Sequence, residues 1–163
     1  MKTLLLLRHA KSSRDDPSLK DFDRPLNDRG RKDAKLIGKF IRRKKICPDL
    51  IVSSPAARAK QTIELVLKSA DLKVELGFDR RLYEASGRRL LEVVSEIEDS
   101  NKSLVLVGHN PGFEELLELL TNEARTLPTA SLACIELAVD KWSTGQPHAG
   151  STKWLVTPKE LKR

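Results

Sequence analysis

Thr3-Leu4-Leu5-Leu6-Leu7-Arg8-His9 is the stretch whose reading decides the fold. Residues 3–7 read as a buried strand, and Arg8 with His9 cut off its apolar run, residues 4–7, far short of a signal-peptide core or a membrane span. A buried strand ending in a cation and an imidazole puts two reactive side chains at the rim of a sheet.

Working outward, a polar loop over residues 11–26 leads to Asn27, the cap of a helix whose Ala34, Ile37 and Ile41, flanked by Leu36 and Phe40, give one face to the core. Pro48 ends that region. Residues 50–52 form a second strand, and Ser54-Pro55 directly after it offers an N-cap with proline at the first helical position. Residues 74–76 form a third strand. Ser86 caps a helix carrying Leu90, Leu91, Val94 and Ile97, and residues 104–107 form a fourth strand buried on both faces. Asn110-Pro111 repeats the cap-plus-proline start for a helix carrying Leu116, Leu117 and Leu120. Residues 132–139 and 153–156 read as strands, with 145–150 as the loop between them.

Short apolar runs alternating with helical patterns predict an α/β fold, a three-layer α/β/α sandwich with a mixed, mostly parallel sheet of about six strands. The last two strands have no helix between them, so a short connection permits only antiparallel pairing. With 163 residues and 39% hydrophobic content the chain supports one sizeable core, and it reads as a single domain over residues 1–163.

Lys and Arg number 30 against 23 Asp and Glu, and the net charge of +7 suits anionic ligands without saying which. Arg42-Arg43-Lys44-Lys45 falls where the first helix ends, and cations there complement the helix dipole, so the run reads as a solvated helix end rather than a nucleic-acid contact. Two Trp, one Tyr and four Phe are not interleaved with basic positions in the way single-stranded nucleic-acid grooves require. Neither nucleic-acid nor membrane binding is expected, and the protein is expected to be soluble and cytoplasmic. Cys47 and Cys134 lack the spacing of a disulfide framework or zinc site, and no metal or other cofactor is expected.

Three strand ends run directly into unusual polar groups: Arg8-His9, Ser53-Ser54-Pro55-Ala56-Ala57-Arg58 and Gly108-His109-Asn110-Pro111. Ligands of an open α/β sheet bind beyond the carboxyl ends of its strands, so these groups can converge although they are far apart in sequence. With Ser54 as N-cap, Arg58 stands at N4 and leans back toward the free N–H groups of the first turn, which makes an anion site. Guanidinium groups match phosphate oxygens in a fork, and Arg8 supplies a second one. Two arginines, two histidines and a helix N-terminus fit a phosphoryl group better than a lone carboxylate, and fixed cations neutralise that group without a metal. Neutral His9, with an ordinary pKa of about 6.5, is available to attack phosphorus. His109 serves best protonated, but a bound phosphate and the flanking arginines push its charge in opposite directions. Singly, a histidine after a buried strand is more often structural and an arginine in a helix more often solvated; the joint pattern points to phosphoryl chemistry.

These motifs resemble those of the histidine phosphatase superfamily, also called phosphoglycerate-mutase-like. Leu6-Leu7-Arg8-His9-Ala10 resembles its Arg-His-Gly signature, and Arg24-Pro25-Leu26-Asn27-Asp28-Arg29-Gly30 the start of its first helix. Ser53-Ser54-Pro55-Ala56-Ala57-Arg58-Ala59-Lys60-Gln61-Thr62 and Val107-Gly108-His109-Asn110-Pro111-Gly112 are similar to its later motifs. The short length and the Gly-His-Asn-Pro-Gly form look most like SixA-type phosphohistidine phosphatases. The resemblance implies that His9 is the nucleophile and that Arg8, Arg58 and His109 hold the phosphoryl oxygens, with Asn110 a further phosphate-binding candidate. Glu84, in Leu82-Tyr83-Glu84-Ala85, sits where the family often places its proton donor; a solvated loop carboxylate is the competing reading. Ala10 stands where the commonest signature has Gly and is expected to narrow the space beside the nucleophile by a methyl group.

The implied activity is hydrolysis through a phosphohistidine intermediate, with phosphohistidine in a signalling protein as substrate and a histidine-phosphorylated domain as partner. A phosphatase for small phosphomonoesters shares every catalytic residue. A mutase needs an enclosed phosphohistidine, for which the chain has no long insertion. A non-catalytic adaptor that binds phosphorylated proteins is the reading from a different class.

Overall fold

The computed structural model describes residues 1–144 and 147–162. Strands β1 (Lys2–Arg8), β2 (Leu50–Ser53), β3 (Glu75–Phe78), β4 (Ser103–Gly108), β5 (Leu132–Leu137) and β6 (Gly150–Val156) form one six-stranded sheet in the order β3-β2-β4-β1-β5-β6. The sheet is mixed and mostly parallel, as the sequence predicts: β2 runs parallel to β3 and β4, and β4 to β1, while β5 is antiparallel to β1 and β6 to β5.

The helices are α1 (Asp28–Arg43), α2 (Ala57–Ala70), α3 (Gly87–Ser95), α4 (Gly112–Thr121) and the short α5 (Pro158–Leu161). Successive strand residues point to opposite faces, so the leucine run of β1 feeds two cores. Leu5 and Leu7, with Val105 and Val107 of β4, pack under Ala34, Ile37 and Ile41 of α1 and Ile63 and Val66 of α2. Leu4 and Leu6, with Leu104 and Leu106, pack under Leu90 and Val94 of α3 and Leu116, Leu117 and Leu120 of α4. Each fully buried leucine contributes about 2 kcal/mol, so one strand ties both helical layers to the sheet.

Asn27 caps α1, its side chain accepting from Gly30 N at 2.8 Å, and Ser86 caps α3 by accepting from Arg89 N at 3.2 Å. The two cap-plus-proline readings do not hold. Helix α2 starts at Ala57 with Ala56 at the N-cap, and α4 starts at Gly112 with Pro111 at the N-cap, neither with a side-chain cap. Arg58 is therefore at N2 instead of N4. Ser54 Oγ instead meets Ala56 N, ahead of the helix, and the remote His109, while the Asn110 amide is turned by the bond from its Nδ2 to Leu127 O.

Strand β3 starts one residue and ends two residues beyond the expected 74–76, β5 stops at Leu137 and β6 begins at Gly150. In the expected loop 145–150, Gly145 and Gln146 lie outside the described residues. Arg42 and Arg43 occupy the last turn of α1 and are exposed, as read from the sequence. Residues 28–45 hold nine Lys and Arg against Asp28 and Asp33, a net +7 equal to that of the whole chain, so the remainder is balanced. No helix among the described residues is long and apolar enough to cross a membrane.

Candidate active site

Sheet register brings the three polar junctions together. Arg8 is paired with Gly108 and Ser53 with Val107, so β1, β2 and β4 end level with one another. His9 N donates to Gly108 O at 3.0 Å and Ser54 N to Val107 O at 2.8 Å, extending the ladder past the strand ends. His9, Ser54 and His109 thus emerge side by side, and the His9 and His109 ring centroids lie 5.0 Å apart.

His9 is buried, and its Nδ1 lies 2.7 Å from the carbonyl oxygen of Ala10. A carbonyl oxygen only accepts, so Nδ1 carries the hydrogen and the lone pair of the neutral ring is on Nε2. Nε2 accepts from Arg58 Nε at 3.4 Å. Burial pushes the His9 pKa down to about 3, the Ala10 carbonyl opposes the fall, and His109, Arg58 and Arg8 add to it. The ring is neutral at pH 7.

The turn after His9 is tied to α2. Ala10 N donates to Thr62 Oγ1 at 3.0 Å, and Thr62 Oγ1 donates to Arg58 O at 2.6 Å. Ala10 is fully buried in the apolar cluster that holds Leu26, Ala34 and Ala59. Its methyl group fills core rather than narrowing the space beside the nucleophile, which corrects the expectation drawn from its departure from Gly.

His109 is also buried, with Nε2 2.8 Å from Ser54 Oγ and Nδ1 lacking a partner among the described residues. Ser54 Oγ accepts from Ala56 N at 3.2 Å, so one hydroxyl orients the imidazole and the approach to α2. Burial and then the Arg58 charge push the His109 pKa down to about 4, with Asp21 opposing and Arg8 assisting. The question of sign left open by the sequence is answered for the site as it stands: His109 is neutral at pH 7.

Arg8 Nη1 and Asn110 Nδ2 both donate to Leu127 O at 2.9 Å, while Arg8 Nε is buried without a partner among the described residues. Asn110 therefore stands next to the site with one amide hydrogen committed to the backbone. Because charges outside residues 28–45 balance, the anion attraction here is local, arising from Arg8 and Arg58 rather than from the chain's net charge.

A rim closes one side. Asp21 lies in a one-turn 3-10 helix, Asp21–Asp23, and its carboxylate accepts from Arg58 Nη2 at 3.0 Å, Tyr83 Oη at 2.6 Å, and Arg24 Nη2 and Nε at 2.9 and 3.1 Å. Asp21 O accepts from Arg58 Nη1 at 2.7 Å. The Tyr83 hydroxyl, then Arg24 and Arg58, hold the Asp21 carboxyl well below the usual carboxylate range despite some burial. The Tyr83 ring stands edge-on to His109 with centroids 5.4 Å apart. Burial, Asp21 and then Glu84 raise the Tyr83 hydroxyl above its ordinary pKa.

Glu84 itself is exposed, at φ 54° in the left-handed region that non-glycine residues seldom adopt. Its loop is held from behind by Gly112, where an added Cβ would stand 2.2 Å from Ala85 O. The structure thus brings Arg8, His9, Arg58 and His109 into one cluster, puts Asn110 beside it and leaves Glu84 at the outer edge. The sequence reading missed Asp21, Tyr83, Thr62 and the second use of Ser54. No group of three or more His, Cys, Asp or Glu side chains among the described residues is arranged to hold a metal ion.

A sequence model of the histidine phosphatase superfamily (branch 1) matches residues 4–87. An uncharacterized protein of Mycobacterium tuberculosis is 30% identical over 94% of this chain and 100% of its own length. An uncharacterized chloroplastic protein of Arabidopsis thaliana is 29% identical over 96% of this chain and 78% of its own. Among solved structures, one from Agrobacterium tumefaciens, provisionally assigned as the phosphohistidine phosphatase SixA, superposes with a TM-score of 0.83 at 28% identity, covering 96% of this chain and 98% of that one. A protein histidine phosphatase SixA complexed with tungstate shares the fold at a TM-score of 0.80 and 21% identity, covering 98% and 99%.

Proposed function

This chain belongs to the histidine phosphatase superfamily, and on that footing we propose that it is a phosphatase in which His9 Nε2 takes the phosphoryl group and passes it to water. The observation that carries the proposal is the 2.7 Å contact of His9 Nδ1 with Ala10 O, which fixes the lone pair on the nitrogen that faces Arg58. The Nε2 pair forms the bond to phosphorus as the bond to the leaving group breaks and its electrons depart with that group. The ring then carries positive charge, which the Nδ1–H bond to Ala10 stabilises. Water attacks phosphorus from the vacated side, the phosphorus–nitrogen pair returns to Nε2, and the proton released by water leaves with phosphate or to solvent.

Arg58 Nε, Arg8 Nε and His109 Nδ1 are among the donors available to the transferring oxygens; the latter two are buried and have no other partner among the described residues. Preorganised donors of this kind act where charge spreads over the phosphoryl oxygens in the transition state. Neutral His109 serves as an N–H donor through Nδ1 when Ser54 Oγ donates to its Nε2.

Phosphohistidine in a protein is the substrate this chemistry favours. Asp21, the carboxyl bonded to Arg58, is held ionised and cannot supply a proton, and Glu84 is solvent-exposed rather than packed against the reacting groups. An imidazole leaving group needs less help from an acid than an alkoxide does. Similarity to the Agrobacterium tumefaciens protein supports the same choice.

The test compares a phosphohistidine protein, an aryl phosphate and metabolite phosphates as substrates for the parent chain and for Glu84→Gln. The phosphohistidine protein should give the highest kcat/KM, changed less than about threefold by the substitution, since a proton donor ordinarily supplies about a hundredfold or more. A metabolite phosphate turned over faster, with a loss of that larger size in Glu84→Gln, would replace this reading with a small-molecule phosphatase.

A further inference from the structure

We propose that Asp21 is a positioning residue for Arg58: by holding both terminal nitrogens of the guanidinium it turns the Nε–H toward the phosphoryl group on His9. A guanidinium has five N–H groups. Asp21 engages one on Nη1 through its main-chain oxygen at 2.7 Å and one on Nη2 through its carboxylate at 3.0 Å. Nε–H alone points at His9 Nε2, at 3.4 Å, and one hydrogen remains on each terminal nitrogen for phosphoryl oxygens.

Arg58 sits in the first turn of α2 with 7% of its side chain exposed, whereas Asp21 is half-exposed at 51%. A long cationic side chain at that position has many rotamers, and burying it unpaired is costly, so the contact from Asp21 both neutralises the guanidinium and selects its direction. Asp21 is held in turn by Arg24 and by the Tyr83 hydroxyl, and Arg24 Nη1 also donates to Ser12 Oγ at 2.8 Å, just beyond the nucleophile. Phe22, next to Asp21, stacks edge-on against Tyr83 at 5.0 Å and lies under the Arg80 guanidinium at 4.9 Å. Two remote segments thus clamp the 3-10 turn that carries Asp21. The carboxylate is ionised throughout the working range, which rules out a proton-donor role and leaves orientation as what it does.

This inference rests on His9 being the phosphoryl acceptor. The opposite effect is the natural rival, because a carboxylate on Arg58 can also compete with phosphate. Aryl phosphate turnover and inhibition by orthovanadate, whose bound geometry mimics the transition state, separate the two in Asp21→Ala and Asp21→Asn. Asp21→Ala should lower kcat by roughly tenfold to a hundredfold, the size expected from a displaced catalytic group. Orthovanadate inhibition should weaken by a similar factor while KM moves less than about threefold, because the lost interaction belongs to the transition state. Asp21→Asn retains an acceptor for Arg58 and Tyr83 and should recover most of the loss. Unchanged or faster turnover with tighter orthovanadate in Asp21→Ala would overturn the proposal in favour of a competing carboxylate. If the parent chain turns over no phosphoryl donor, the phosphatase reading fails; calorimetric binding of orthovanadate to the parent and to Asp21→Ala still tests the orientation of Arg58.

Discussion

The strand-end cluster and the rim that faces it are built in different ways. Arg8, His9 and His109 stand where β1 and β4 end in register, Arg58 follows three residues of turn and one of helix beyond β2, and all but Arg8 are buried. Asp21, Tyr83 and Glu84 belong to a 3-10 turn and a loop, half-exposed or exposed, with Asp21 meeting Tyr83 through side chains and Arg58 through both its carboxylate and its main-chain oxygen. Backbone ladder bonds fix the strand ends that carry the first group, whereas the second lies outside the sheet. The difference suggests that chemistry resides in the cluster and that the rim orients and selects.

The sharpest way to break that division is to remove one arginine from each region. Arg58→Ala should lose about 3 kcal/mol of transition-state stabilisation, a loss of more than a hundredfold in kcat, as for one preorganised donor. Arg24 reaches the site through Asp21, Ser12 and Ser13 O, and Arg24→Ala should cost about 1 kcal/mol or less, in line with partly exposed ion pairs. Equal losses in kcat would erase the distinction.

Burial supplies a second contrast. The cluster histidines titrate near pH 3 and 4 when folded. Unfolded imidazoles take up protons below about pH 6.5, so between there and pH 4 the unfolded chain binds more protons and stability falls as pH falls. Each histidine should contribute about 2 kcal/mol of this loss between about pH 6.5 and 5. Urea unfolding across that range should show His109→Gln reducing the slope by one proton; an unaltered slope would mean that His109 is open to water.

A smaller effect refines the picture within the cluster. Ser54→Ala removes the hydroxyl that meets both His109 Nε2 and Ala56 N and should lower kcat by about tenfold, the worth of about one hydrogen bond. A kcat within twofold of the parent would show that the ring is oriented by packing alone.

The same division explains what the sequence discloses. The apolar runs of β1, β2 and β4 are readable because a buried strand needs them, and the polar residues after each run then fall together by register. Asn27 and Ser86 are readable as caps because each bonds its own helix three residues on. Ser54 and Asn110 have the same local look, yet Ser54 Oγ also meets His109 and Asn110 Nδ2 donates to Leu127 O, 55 and 17 residues away in sequence. Local pattern carries no information about such partners. Asp21 is hidden more deeply: it lies in a polar loop without periodicity, and its partners Arg58 and Tyr83 are 37 and 62 residues distant. Ala10 shows the limit of motif comparison, since only packing reveals that its methyl group faces the core.

The central claim is that one nitrogen of one histidine accepts the phosphoryl group. Rapid acid-free quenching of the parent chain during turnover of a phosphodonor, followed by nitrogen–phosphorus NMR on selectively labelled histidine, reads that atom directly. The structure predicts an acid-labile phosphoryl group on Nε2 of His9. Phosphorylation of Nδ1 or of His109, or sustained turnover with no phosphohistidine formed, would contradict it.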